Sequence, residues 1–157
     1  MNKYIFSNLI NLKGLNLNCN QLSTLESELF FNLNNLNSLD ISGNQLKLLG
    51  LNIFDNLNSL NILYVNSSQL NSLKPSLFTK LSSLQTLYLN NNNLNASLNL
   101  SLFSNLTKLI TLDLSYNQFS SIDSRVFSNI NNTDTINIYL KSNTSFAYNS
   151  TKIVLNF

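Results

Sequence analysis

The 157-residue sequence predicts a solenoid: a curved, right-handed coil in which every turn adds one short strand to a parallel sheet. Three observations predict it. Leu12, Leu36, Leu60 and Leu84 open successive stretches of about 24 residues that share one apolar spacing. Inside each stretch two apolar residues, mostly leucine, alternate with polar residues at period two, as in Leu87-Tyr88-Leu89, which is the signature of a strand with one buried side. An asparagine then stands three residues beyond the second of these leucines, at Asn20, Asn44, Asn92 and Asn117.

The units follow in order. Residues 1–11 hold Phe6 and Leu9 at the spacing that closes every later unit, so they read as the tail of a repeat. Units at 12–35, 36–59 and 60–83 repeat that spacing without a break, ending on Phe30, Phe54 and Phe78. The unit at 84–108 reaches Leu98 and Phe103 one residue late, which requires a bulge. The unit at 109–132 is regular again and ends on Phe127. Residues 133–157 read as a degenerate sixth unit with Thr133, Ile136 and Ile138 in phase, Lys141 in the asparagine place, and an irregular C-terminal cover that still alternates at Ile153 and Leu155.

A single unit cannot bury its own leucines, so the coil is stable only through contacts between neighbouring units. Leu87 and Leu89 are expected to stack on Leu63 and Val65 on one side and on Leu112 and Leu114 on the other. Behind each strand the chain turns and leaves backbone groups that cannot reach water. The asparagine amide both donates and accepts, so a stacked column of Asn20, Asn44, Asn92 and Asn117 can satisfy them. Ser68 replaces it in the third unit and predicts a looser turn there. The column Phe30, Phe54, Phe78, Phe103 and Phe127, led by Phe6, is expected to fill the convex side.

Composition narrows the function. Asparagine and leucine each make up about a fifth of the chain, and the leucines supply the apolar surface that a disordered Asn-rich tract lacks. A net charge of +2 without a basic cluster argues against nucleic acid as a partner. No apolar run is long enough to insert in a membrane, and the first residues make a poor signal peptide. Without His and with one Cys, the sequence offers no metal site, no cofactor site and no His-based catalysis. Cys19 reads as a small filler of the bend before Asn20. Tripeptide acceptors for N-glycosylation occur at Asn66, Asn95, Asn99, Asn105, Asn131, Asn143 and Asn149, about as many as this Asn- and Ser-rich composition gives by chance.

The pattern L-x-x-L-x-L-x-x-N-x-L, continued by a Phe and a closing Leu, resembles the typical 24-residue subfamily of leucine-rich repeats over residues 6 to 140. That subfamily is found in Slit-like proteins, small leucine-rich proteoglycans and Toll-like receptor ectodomains. The resemblance implies a parallel sheet on the concave face, with irregular or short helical segments on the convex face. It also implies an extracellular or cell-surface setting. Family members usually shield both ends with cysteine-rich or polar caps, which are not visible in this sequence.

In such a coil the outward strand residues line the binding face. The central row is Asn16, Asp40, Tyr64, Tyr88, Asp113 and Asn137, flanked by Ile62, Thr86 and Thr111 on one side and by Asn66, Asn90 and Tyr139 on the other. Tyr64 and Tyr88 are the leading candidates for ligand contact, because tyrosine offers rigid amphipathic area. Asp40 and Asp113 lie three strands apart, roughly 14 Å, too far for a catalytic carboxylate pair. The expected function is a non-enzymatic module that binds a protein or glycan across the concave face. The alternatives are an intracellular scaffold and the recognition part of an enzyme whose catalytic domain lies elsewhere.

Overall fold

The computed structural model describes residues 4–128, 130 and 136–141 in full and 153–156 by their backbone. Among these residues the chain forms a solenoid with one parallel sheet of seven strands in sequence order. They are β1 (Gly14–Asn16), β2 (Ser38–Asp40), β3 (Ile62–Tyr64), β4 (Thr86–Tyr88), β5 (Thr111–Asp113), β6 (Ile136–Tyr139) and β7 (Ile153–Asn156). Helix is nearly absent. Tight turns carry the chain across the back, with one 3-10 turn at Ser124–Phe127 capped by the Asp123 carboxylate.

The alternation of leucines decides which side of each strand is buried. Leu39, Leu63, Leu87 and Leu112 are wholly enclosed at the strand centres, with register pairs Leu39↔Leu63, Leu63↔Leu87 and Leu87↔Leu112. The next inward position, Ile41, Val65, Leu89 and Leu114, is equally closed. Leu15 and Leu17 of the first coil are covered from one side only and remain partly exposed.

The phenylalanines form a continuous stack on the far side. Ring centroids of Phe30, Phe54, Phe78, Phe103 and Phe127 are spaced 6.4, 6.2, 6.1 and 6.2 Å, with planes within 13° of parallel. Across the sheet, Tyr64 and Tyr88 are only 5.0 Å apart. The same unit translation is therefore larger at the phenylalanines than at the strands, and the coil curves with the sheet on its inner face. The extra residue of the fourth unit is taken up before Phe103, because the Phe78–Phe103 spacing matches the rest of the stack.

Asparagine side chains stitch the turns. The Asn92 amide donates to Val65 O of the preceding coil at 2.9 Å and to Leu89 O of its own at 3.1 Å, while its oxygen accepts from Leu70 N at 3.0 Å. Asn44 and Asn117 repeat the arrangement, so Leu89 O accepts from two amides. Asn20, in the first coil, is exposed, and its side-chain amide donates to Asn18 O of its own coil. Ser68 is too short for this role: its buried Oγ has no hydrogen-bond partner.

The residue just before each asparagine place is left-handed: Cys19, Gly43, Ser67, Asn91 and Tyr116 have φ of 54°, 64°, 54°, 54° and 54°. That geometry costs an ordinary residue about 1–2 kcal/mol. It is held because each of these N–H groups extends the sheet ladder by donating to the next coil, as in Cys19 N to Ser42 O and Ser67 N to Asn90 O, both 3.0 Å. Gly43 needs its missing side chain as well, since a Cβ there would lie 2.7 Å from Cys19 Sγ. Cys19 itself is exposed and does not fill the bend as the sequence reading expected.

A second departure lies in the sixth unit. The expected phase places Asn137 beside Asp113, but β6 pairs Leu112 with Ile138 and Asp113 with Tyr139. The strand has slipped by two residues, which keeps Ile136 and Ile138 buried and adds Leu140 to the core. Lys141 consequently occupies the last ladder position and accepts from Tyr116 N at 2.8 Å, instead of standing in the asparagine place. In the new phase that place falls on Asn143 which, with Thr133, Thr135, Asn131, Asn149 and the rest of the expected C-terminal cover apart from β7, lies outside the described residues.

Two stability measurements test this packing. Phe78→Ala removes a ring clasped between Phe54 and Phe103 and is expected to cost about 3–5 kcal/mol in chemical denaturation. Ser68→Asn restores the interrupted column and is expected to add about 1–2 kcal/mol, seen as a higher midpoint in the same experiment.

Candidate functional site

Period-two alternation sends the strand residues not used in the core to the inner face. The central row observed there is Asn16, Asp40, Tyr64, Tyr88, Asp113 and Tyr139, one per strand and in direct register. Beside it run Ser38, Ile62, Thr86, Thr111 and Asn137. Ile62, Tyr64, Thr86, Tyr88, Asp40, Thr111, Asp113 and Asn90 are all partly exposed and reach one surface.

Two kinds of side chain occupy the central row, for two different reasons. Asp40 Oδ1 accepts from Ser42 N and Asp113 Oδ1 from Ser115 N, each at 2.9 Å, tying the strand end to the turn. Asn16 makes the same bond to Asn18 N at 2.9 Å, so the bond needs an oxygen acceptor and not a charge. Tyrosine does not make this bond. Tyr64 and Tyr88 instead lie face to face, with planes 9° apart, so their outer faces look along the sheet toward Asp40 and Asp113.

The electrostatics follow from this arrangement. Burial, and then Tyr64, Asp113 and Tyr139 in turn, hold the Tyr88 phenol above its ordinary value of 10.0. The inner-face strand residues of β1–β6 include no Lys or Arg. Neither Asp40 nor Asp113 is paired with a cation among the described residues. Lys141 is held on the flank, with its Nζ 5.8 Å from the centroid of the Tyr116 ring. Among the described residues no group of three His, Cys, Asp or Glu side chains is placed to hold a metal ion. No helix there is long and apolar enough to cross a membrane.

The sequence reading placed Tyr139 at the edge of the face; the two-residue slip of β6 brings it into the central row beside Asp113. The signal was present in the sequence, since Ile138, Leu140 and Asn143 fit the strand-and-asparagine spacing better than Ile136, Ile138 and Lys141. Of the acceptor asparagines that are described, Asn66 has its Oδ1 buried without a partner, and Asn105 donates its amide to Thr79 O at 3.1 Å.

The neutral phenol of Tyr88 is favoured in the folded chain, so the stability linked to it is complete below pH 10.0 and is lost as pH rises through the higher folded value. Titration of tyrosine absorbance is expected to show the Tyr88 phenol ionising late, and Asp113→Asn is expected to move it down by removing a neighbouring negative charge.

The architecture and this face can be set beside known proteins. The family described as BspA type leucine rich repeat region, in six copies, matches residues 1–132 and 64–154. No curated protein sequence matches the chain. Among solved structures, the leucine-rich repeat domain of APL1B is similar with a TM-score of 0.78 and 19% identity, covering 99% of this chain and 41% of that one. A chain of the octameric complex of Latrophilin 3 (Lec, Olf), Unc5D (Ig, Ig2, TSP1) and FLRT2 (LRR) is similar with a TM-score of 0.80 and 25% identity, covering 93% of this chain and 48% of that one. The chain therefore spans less than half the length of both.

Proposed function

Because the chain belongs to the BspA-type leucine-rich repeat family, whose repeat is typically a protein-interaction module, we propose that it is a non-enzymatic binding domain that grips a protein ligand across its inner sheet. Its contact residues on this reading are Tyr64 and Tyr88, with Asp40, Asp113, Ile62, Thr86, Asn90 and Thr111 around them. The observation that carries the reading is the stacked tyrosine pair at the centre of the face, in the two coils that lack the structural bond made by Asn16, Asp40 and Asp113. A bond given up in two adjacent coils in favour of partly exposed aromatic area fits selection for contact.

A protein ligand suits this face better than a glycan. Sugars pack on ring faces, and here the two facing surfaces cover each other, leaving only the outer faces and the ring edges. The similar chain in the Latrophilin 3, Unc5D and FLRT2 complex supports assembly with proteins. The three-strand separation of Asp40 and Asp113 supports a role without catalysis. We place the domain outside the cell on the resemblance of its unit to the typical subfamily. The exposed free thiol of Cys19 favours the other reading, an intracellular scaffold.

The test is a screen of the tetramerised chain against arrayed protein ectodomains and arrayed glycans, with every hit re-measured on variants. Tyr64→Ala with Tyr88→Ala is expected to weaken a protein hit at least tenfold, while Lys80→Ala on the exposed back leaves it unchanged. Hits that ignore the double variant and are lost with Lys80→Ala would overturn the proposal.

A further inference from the structure

We propose that the slot above Asp113, walled by Tyr88 and Tyr139, receives an arginine side chain of the partner protein; this rests on the inner sheet being the binding face. Asp113 is the one carboxylate of the central row with an aromatic residue on both sides, paired in register with Tyr88 on β4 and with Tyr139 on β6. Two strand spacings separate the walls, roughly 10 Å between their backbones. That gap accommodates a planar guanidinium between two side chains, with the carboxylate as its floor. Tyr88 turns an open ring face to the slot because Tyr64 covers the other one. Tyr139 is 38% exposed and free to line the opposite side.

Charge complementarity selects the occupant. The chain carries nine Lys and Arg against seven Asp and Glu, yet two of its acids and none of its bases lie in the strand rows of this face. Lys141, two residues beyond Tyr139, is kept over the Tyr116 ring on the flank. Asp113 Oδ1 is engaged by Ser115 N, which fixes the carboxylate without neutralising it. Asn16 makes the equivalent bond, so folding does not require the charge at this position. Burial and then Tyr64 raise the Tyr88 phenol, and Asp113 adds to the same direction. Asp40 has only one aromatic neighbour, Tyr64, and its carboxylate already accepts from Ser42 N, Ser42 Oγ and Asn18 Nδ2, so it forms the weaker half of a similar arrangement.

The experiment is amide chemical-shift mapping on the full, isotope-labelled chain with acetyl-Gly-Ser-Arg-Ser-Gly-amide. The same peptide with citrulline in place of arginine is the neutral control. The arginine peptide is expected to move the amides of Tyr88, Asp113 and Tyr139 and their neighbours, and the citrulline peptide to leave them in place. Asp113→Asn is expected to weaken the binding at least tenfold and Lys80→Ala, on the exposed back, to leave it unchanged, with both variants melting like the parent. Equal shifts from both peptides, unchanged binding by Asp113→Asn, or shifts confined to the back of the coil would each overturn the slot. A protein hit from the array screen that needs Tyr64 and Tyr88 but ignores Asp113→Asn would sink the arginine slot and leave the binding face standing.

Discussion

The structure depends on satisfying the turn behind each strand. A coil that buries a ring of leucines also buries the carbonyls that follow them, and an unpaired carbonyl there would cost a large part of what the leucines gain. The asparagine amide is long enough to reach the preceding coil and its own, which is why Asn44, Asn92 and Asn117 each bridge two coils. The left-handed residue before it is the other half of the same solution. It turns the chain sharply while keeping its N–H in the ladder, so the backbone leaves the sheet with few broken bonds. Leucines and phenylalanines then only have to fill the width on either side of this seam.

A consequence is that side chains sort into rows. Residues separated by one unit stand on adjacent strands, so a surface property of the protein is a property of a row and not of a segment. The tyrosine pair, the two aspartates and Tyr139 are far apart in sequence and contiguous in space. The same rule orders the back, where five phenylalanines form one stack. Chemistry on the inner face is free to vary because none of the core contacts runs through it.

The regular units were legible from sequence because one period governs both their core and their turns. Leu63, Leu87 and Leu112 could be placed beside one another by counting alone, and Asp40, Tyr64, Tyr88 and Asp113 followed. Counting fails where burial permits two phases. Ile136, Ile138 and Leu140 are all apolar, so the alternation alone allows either phase and only the asparagine spacing to Asn143 separates them, and Leu140 joins the core in the slipped one. Cys19 was misread for a related reason. Its small side chain suggested a packed bend, but the left-handed backbone sets it against Gly43, where it stays exposed. The asparagine column was likewise visible as a spacing, whereas the exposure of Asn20 was not.

The slip of β6 also bears on how such a surface can be edited. An even number of extra residues on the back of a coil leaves the inward and outward parity of the next strand intact, while an odd number that reached the strand would turn its core side chains out to water. The single residue added after Leu94 is absorbed in a bulge before Phe103, and the two residues added before β6 pass through to the strand and exchange Asn137 for Tyr139 in the central row. Paired insertions in the convex segments are thus a silent dial on recognition: they change which side chain meets a ligand without substituting a residue of the face, while apolar side chains still fill the core.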